Sequence, residues 1–516
     1  MQSATDALLI PQSVARPVRA DVAILLCVVS VFGILSTLGS ITSEGFLEAD
    51  GCTHFLFARA AFDEPHYLVN IWGRPLKTML YVLPAHFFGL TGVRFTSLVV
   101  AIAILLLTYA IARGQKYRWP ALATIACVAQ PMFFLHSFSE LTELPFAMVL
   151  AGAFLAYQRR QFFVMTLLVA VTPLGRPEGF GMLLLGGLAL LAHRRAYWIP
   201  LLVVPLLVWN YAGWVLFGRP DIPWYLWLKN EWPYAATSVY ASGSLWHFLG
   251  LLPVVTGPLV FPGFFVGVGA TVWGDLRGLI RSLRSGAGGG SSDERESSEV
   301  RISPQHRRHC DLLIVAIPML ILIAHSILYF TGKMASSGEA RYMLTAAPFW
   351  ALLVAKGLTW MFDRLAVRRV HLLAGLLAVA PALINFKVYL PGGWVFGYQV
   401  LPLQASEDWK IVRHVVESMQ QSGELDAHAC FAAAHPGVFY FLGVSPTAPR
   451  VVPFTRGTLA HPPADTLLIW DRVYAQFNAD INRTVSVDFL LSAGWTVKRE
   501  ITKDWLLLKS PNKPGT

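Results

Sequence analysis

"LKTMLYVLPAHFFGLT", residues 76–91, is the stretch on which the fold turns. It is apolar enough to be counted as a membrane crossing, and counting it moves every later loop to the opposite side. If it crosses, the basic loops "RGQKYR" (113–118), "QRR" (158–160), "HRR" (193–195) and "DRLAVRR" (363–369) all face outward. If it does not, all four lie in the cytoplasm together with the long basic segment 275–309, as the positive-inside bias of short loops requires. The stretch therefore reads as an interfacial helix on the outer surface, carrying Lys77, Tyr81 and His86 among Leu, Met and Phe, with Pro84 as its kink. The first outer loop then runs from 42 to 93.

Composition sets the same frame. Of 516 residues, 55% are hydrophobic and only 14% charged, against about 25% charged in soluble domains. Lys plus Arg exceed Asp plus Glu by 41 to 31, an excess that belongs to cytoplasmic loops rather than to nucleic-acid binding. A first apolar run, "DVAILLCVVSVFGILSTLGSIT", follows Arg16 and Arg19 and is longer than a signal-peptide core, so it reads as an uncleaved span. Further runs occupy 94–112, 119–135, 143–157, 161–175, 177–192, 197–216, 246–273, 310–330, 342–361 and 370–389. The fold class expected is thus a polytopic α-helical membrane protein of about eleven transmembrane helices, spanning 1–390, with interfacial helices in the first outer loop. Cys27, Cys127 and Cys310 lie inside apolar runs, which leaves Cys52 and Cys430 as the one pair able to meet in an oxidising compartment.

Two segments stand apart. The Gly/Ser/charge-rich part of 275–309 reads as a disordered cytoplasmic linker. Residues 391–516 read as a soluble α/β domain on the outer side: "SEDWKIVRHVVESMQQSG" and "SVDFLLSAGW" as helices, "ACFAAA", "TLLIWD" and "DWLLLK" as strands.

The outer loops gather ionisable groups near membrane depth, where they are costly and usually face a cavity or one another. The first loop supplies Glu48, Asp50, His54, Arg74 and Lys77. Shorter loops add Glu140 and Glu143 in "SELTELP", Arg176 and Glu178 in "GRPEG", and Lys333, Glu339, Arg341 and Tyr342 in "GKMASSGEARYM". Each has a plainer reading: Glu48 and Asp50 as caps of the helix "GCTHFLFARAAF", "GRPEG" as a turn with a local ion pair, Arg341 as a snorkelling side chain. Without H-x-x-x-H or E-x-x-H spacing among these residues, no metal site is assigned, and a divalent metal is left as an option.

The order of these motifs resembles the GT-C superfamily of polyprenyl-phosphate-dependent glycosyltransferases, which includes protein O-mannosyltransferases and lipid A aminoarabinose transferases. The resemblance rests on a first span followed by "EAD", then "GRPLK" before an amphipathic helix, then Arg94 in "GVRFTSLVVAI", with "SELTELPFA", "GRPEG" and "RYMLTAAPFWALL" following; it covers residues 20 to 390 in layout. The family usually has two prolines where this chain has "RPL". The resemblance implies a catalytic aspartate in the acidic motif, hence Asp50 as general base with Glu48 orienting or substituting for it. A phosphate leaving group needs cations rather than an acid, which suits Arg341, Arg176, Arg74, Lys77 and Lys333. His54, Glu140, Glu143, Glu178 and Tyr342 remain as cavity groups. The implied partners are a polyprenyl-phosphate-linked sugar, a hydroxyl acceptor and membrane lipid, without nucleic acid. The basic loops put the N-terminus in the cytoplasm and the C-terminal domain on the periplasmic side, and the location expected is a bacterial plasma membrane, since no retention signal is read at the chain's end. Two other classes stay open at this level: a transporter or flippase of lipid-linked glycans, and a non-catalytic receptor or assembly protein.

Overall fold

The computed structural model describes residues 18–43, 45–46, 49–234, 236–238, 240, 242–285, 304–367, 369–383, 387–389, 395–397, 407–476 and 484–511. Glu48 and the middle of the expected linker, 286–303, lie outside the described residues.

Helix α1 (Val18–Thr42) opens the chain. Leu26, Ile34 and Ile41 on it are 59%, 61% and 75% exposed, a pattern tolerated only where the surroundings are apolar. After the short α2 (Ala49–Ala60) comes α3 (Pro75–Gly114), 40 residues long. A straight helix of that length would reach about 60 Å, twice the hydrocarbon core. It is not straight: Gly89 has φ 59°, ψ −145°, a conformation open essentially to glycine alone. The break therefore falls at Gly89, while the helix continues through Pro84, where the kink was expected. A proline removes one hydrogen bond and bends a helix, whereas a change of direction needs a backbone that leaves the helical region. Residues 75–88 turn Lys77, Thr78, Tyr81 and Ala85 into the protein and leave Met79, Leu83, Phe87 and Phe88 exposed. Their apolar face thus looks outward, as a lipid-contacting segment requires.

Among the described residues, five helices are long and apolar enough to cross a membrane: 20–42, 75–114, 196–216, 305–331 and 340–364. Shorter apolar helices include α4 (Glu143–Gln158) and α5 (Gly179–Ala192). Helix α6 (Pro304–Thr331) and helix α7 (Ala347–Arg364) follow. The protein is an integral membrane protein. The expected run 119–135 is split into Ala121–Val128 and Pro131–His136, because Pro131 opens the second piece. Helix Phe261–Ser285 extends into the expected linker from one side, and α6 enters it from the other.

A small sheet follows the last helix. Strands β1 (Lys387–Tyr389) and β2 (Val395–Gly397) form a hairpin. Strands β3 (Cys430–Ala433), β4 (Thr466–Asp471), β5 (Thr496–Thr502) and β6 (Trp505–Lys509) make a sheet of order β3-β4-β6-β5, parallel only between β3 and β4. Strand β4 is buried along its whole length, while the charged edge strand β5 is largely exposed. The helices Glu407–Gln421 and Pro436–Leu442 rest on the first loop: Trp409 and Tyr440 pack on Phe46 with ring centroids 5.3 and 5.0 Å away. Tyr440 also meets Phe55 of α2, and the Tyr67 hydroxyl donates to Thr447 Oγ1 at 3.1 Å.

Candidate active site

Asp50 sits in the first turn of α2, where the positive end of the helix favours a carboxylate. The next residue must be small, because a Cβ on Gly51 would lie 3.2 Å from Glu140 Oε2. The sequence "ADG" thus lets α2 close against the Glu140 loop. Asp50 keeps 46% of its side chain exposed, and its Oδ2 accepts a 2.7 Å charge-assisted hydrogen bond from Arg341 Nη2.

Arg341 lies on the 3-10 turn Ala340–Ala346 that leads into α7, with only 8% of its side chain exposed. Its Nε donates to Glu339, and its Nη1 stands 3.9 Å from Glu143 Oε1. The same Glu143 oxygen accepts from Arg176 Nη1 at 2.6 Å; Arg176 Nη1 also reaches Thr142 Oγ1 at 3.0 Å, and its Nε reaches Glu178 Oε1 at 3.0 Å. Both the local pair within "GRPEG" and a long-range one are therefore formed. Glu178 stands at the N-terminal end of α5 and accepts from His325 Nε2 of α6 at 3.1 Å. The His325 ring stacks on Tyr342, centroids 5.0 Å apart, and the Tyr342 hydroxyl is 2.6 Å from Ser337 Oγ.

Two arginines are thus held by four carboxylates from four parts of the chain. Glu143 is 1% exposed, and a carboxylate so buried persists as an ion only because both guanidinium groups face it. Each arginine is thus desolvated and aimed from a fixed direction by its carboxylate partners.

Other predicted residues fall around this cluster. His54 is buried and stacks on Trp72 at 4.6 Å; burial, then the cations Lys77, Arg74, Arg341 and Arg176, push its imidazole well below the ordinary value and keep it neutral. Lys77 is fully buried, its Nζ donating to the His54 carbonyl at 2.8 Å and lying 4.8 Å from the Tyr81 ring centroid. Arg74 stands apart at a small cleft with Ile71, Pro173, Phe180, Trp209 and Trp232, its guanidinium 5.1 Å from the Tyr234 ring centroid; burial lowers its pKa to about 10. Lys333 is exposed on the loop after α6. Glu140 pairs with Arg94 Nε at 3.2 Å, and burial raises its carboxyl above the usual range against the pull of Arg94. Arg94 also donates to the carbonyls of Ser40, Ser43 and Gly45, tying the end of α1 to α3.

Sequence reasoning passed over His325, which sits inside an apolar run. It named Glu339 among the loop charges without giving it a site role, although "GEARY" sets it two residues before Arg341.

No protein-family model matches the chain, and no curated protein sequence matches it. Solved structures do. The chain is similar to ArnT from Cupriavidus metallidurans in the apo state, at 13% identity and a TM-score of 0.55, over 95% of this chain and 98% of that one. It is similar to the same protein bound to undecaprenyl phosphate, at 14% identity and a TM-score of 0.54, over 96% and 98%. At that identity the likeness establishes the fold alone: this chain shares the architecture of those structures over nearly its whole length.

Proposed function

We propose that the chain is a GT-C-type glycosyltransferase that moves a sugar from a polyprenyl-phosphate donor to a hydroxyl acceptor on the outer side of a bacterial plasma membrane. The N-terminus is cytoplasmic, the C-terminal domain is periplasmic, and eleven segments cross, the short apolar helices among them. The observation that carries this reading is a half-exposed carboxylate, Asp50, touching a desolvated arginine, Arg341, that shares Glu143 with a second one, Arg176. The structural neighbour crystallised with undecaprenyl phosphate supports the donor class.

Arg341 and Arg176 hold the donor phosphate. We assign Arg74, beside its aromatic cleft, to the prenyl side of that phosphate, and Lys77 to bracing the first loop through the His54 carbonyl. Asp50 takes the proton of the acceptor hydroxyl, the acceptor oxygen bonds to the anomeric carbon, and the bond from that carbon to the phosphate oxygen breaks. Polyprenyl phosphate leaves with the negative charge, and the anomeric configuration inverts. A base and a leaving-group clamp must stand on opposite sides of that carbon, so the direct Asp50–Arg341 contact opens when the donor binds and Arg341 turns to the phosphate.

The test is transfer of radiolabelled sugar from polyprenyl-phosphate sugar by the purified protein. Asp50→Asn is expected to lower the rate by roughly 10²–10⁴-fold while polyprenyl phosphate still binds. Undiminished transfer by that variant removes Asp50 as the base, and no donor consumption by the wild type returns the transporter reading.

A further inference from the structure

We propose that His193, His306 and His309 form a three-imidazole site for a borderline first-row divalent cation, zinc foremost, at the end of the helix bundle away from Asp50. The three side chains each bring a ligand atom to within 4.8 Å of the other two. They come from two elements: His193 caps the C-terminal end of α5, and His306 and His309 lie one turn apart at the start of α6. His306 and His325 share α6 and are 19 residues apart, about 28 Å at helical rise, so this cluster is distinct from the acidic and arginine-rich one.

The chemistry of the donor set fits. Imidazole nitrogens suit zinc, cobalt and nickel, and three of them with one open position form a four-coordinate site. The His306 Nε2 faces the carbonyls of Tyr157 and Gln158 at 3.1 and 3.2 Å, so it carries the proton and the lone pair lies on Nδ1. That hydrogen bond also fixes the ring, as outer-shell partners of metal ligands do. The His193 ring stands 5.2 and 6.2 Å from those of His306 and His309, and its Nε2 is 3.1 Å from the Tyr157 hydroxyl. Zinc–nitrogen bonds of 2.0–2.1 Å place tetrahedral ligands about 3.4 Å apart; His193 and His309, both partly exposed, close the remaining distance by side-chain rotation. A bound ion would fasten the end of α4, through Tyr157, to the end of α5 and the start of α6.

The experiment uses tag-free, full-length protein in detergent, stripped with chelator and then titrated with Zn²⁺ or Co²⁺. Wild type is expected to retain one zinc per chain after desalting, and its cobalt form to show the visible absorption of four-coordinate Co²⁺. His193→Gln and His309→Gln are each expected to weaken zinc binding at least about tenfold, the loss produced even by removing an outer-shell partner. Should either variant fail to fold, the wild type decides: zinc must protect His193 and His309 from carbethoxylation, mapped by peptide mass. Zinc retention below one per chain, unchanged affinity in the folded variants, or equal modification with and without zinc overturns the site.

Discussion

Arg341 Nη2 donates to Asp50 Oδ2 at 2.7 Å, joining residues 291 positions apart in the chain. The pair unites the loop after α1 with the turn that enters α7. It is also the contact that the proposed reaction must open, so its two members cannot act independently.

Single substitutions at these two positions should therefore not add. Arg341→Lys keeps the charge but loses the planar fork that spans Asp50, Glu339 and Glu143, and is expected to raise the donor KM by about ten- to a hundredfold. Combined with Asp50→Asn, a coupling of roughly 0.5–3 kcal/mol should appear in the double-mutant cycle. Strict additivity of the two rate losses would show that the contact is not part of the working site.

Replacement of Gly89 tests the break in α3. An L-residue at φ 59°, ψ −145° carries strain on the order of 1–3 kcal/mol. Gly89→Ala should lower the melting temperature in detergent and misplace residues 75–88, whereas Pro84→Ala should do neither. Equal melting of wild type and Gly89→Ala would mean that the two halves of α3 do not need this turn.

Arg94 holds Glu140 and three carbonyls behind the acidic loop. Removing one member of a buried ion pair leaves the other uncompensated, at about 3–5 kcal/mol. Arg94→Met should destabilise the protein by that order and expose residues 43–50 to protease; adding Glu140→Gln should recover part of the loss. A double variant less stable than Arg94→Met would place the role of Arg94 in the carbonyl contacts alone.

Acid sensitivity should concentrate in the C-terminal domain. His435 is buried among Trp409, Tyr474 and Trp505, and burial lowers its pKa to about 3. Its unfolded value is about 6.5, so the folded state prefers the neutral ring. That stability is complete above pH 6.5 and is lost as pH falls from there toward 3, by at most about 1.4 kcal/mol per pH unit. Amide exchange at 430–442 and 505–509 should accelerate across that window in wild type, and His435→Gln should flatten the dependence. An equally steep profile in the variant assigns the acid response to other groups.

The pattern of legibility follows from where each signal lies. Asp50, Arg176, Glu143, Glu178 and Arg341 were readable because each charge stands at the border of an apolar run, where its presence is anomalous. His325 was not, since one histidine inside an apolar run carries no such contrast until Glu178 is seen beside it. The sequence indicated a helix over 76–91 with its kink at Pro84, but the break at Gly89 was not legible, because proline announces a kink in sequence while glycine is merely permissive. Strand β5, "TVKREIT", was missed for a similar reason: an exposed edge strand bears charges that blunt pairing with other chains and so lacks alternation. The metal-ligand spacing His306-x-x-His309 went unused because its third member lies 113 positions earlier in the chain.

The seating of Trp409, Tyr440 and Thr447 on the loop that carries Asp50 bears on biosynthesis. Phe46 on that loop precedes by more than 350 residues the segment that covers it, so the loop cannot take its final packing until Trp409 and Tyr440 have been made. Until those residues are in place, the aromatic seat formed by Phe46 and Phe55 stays uncovered.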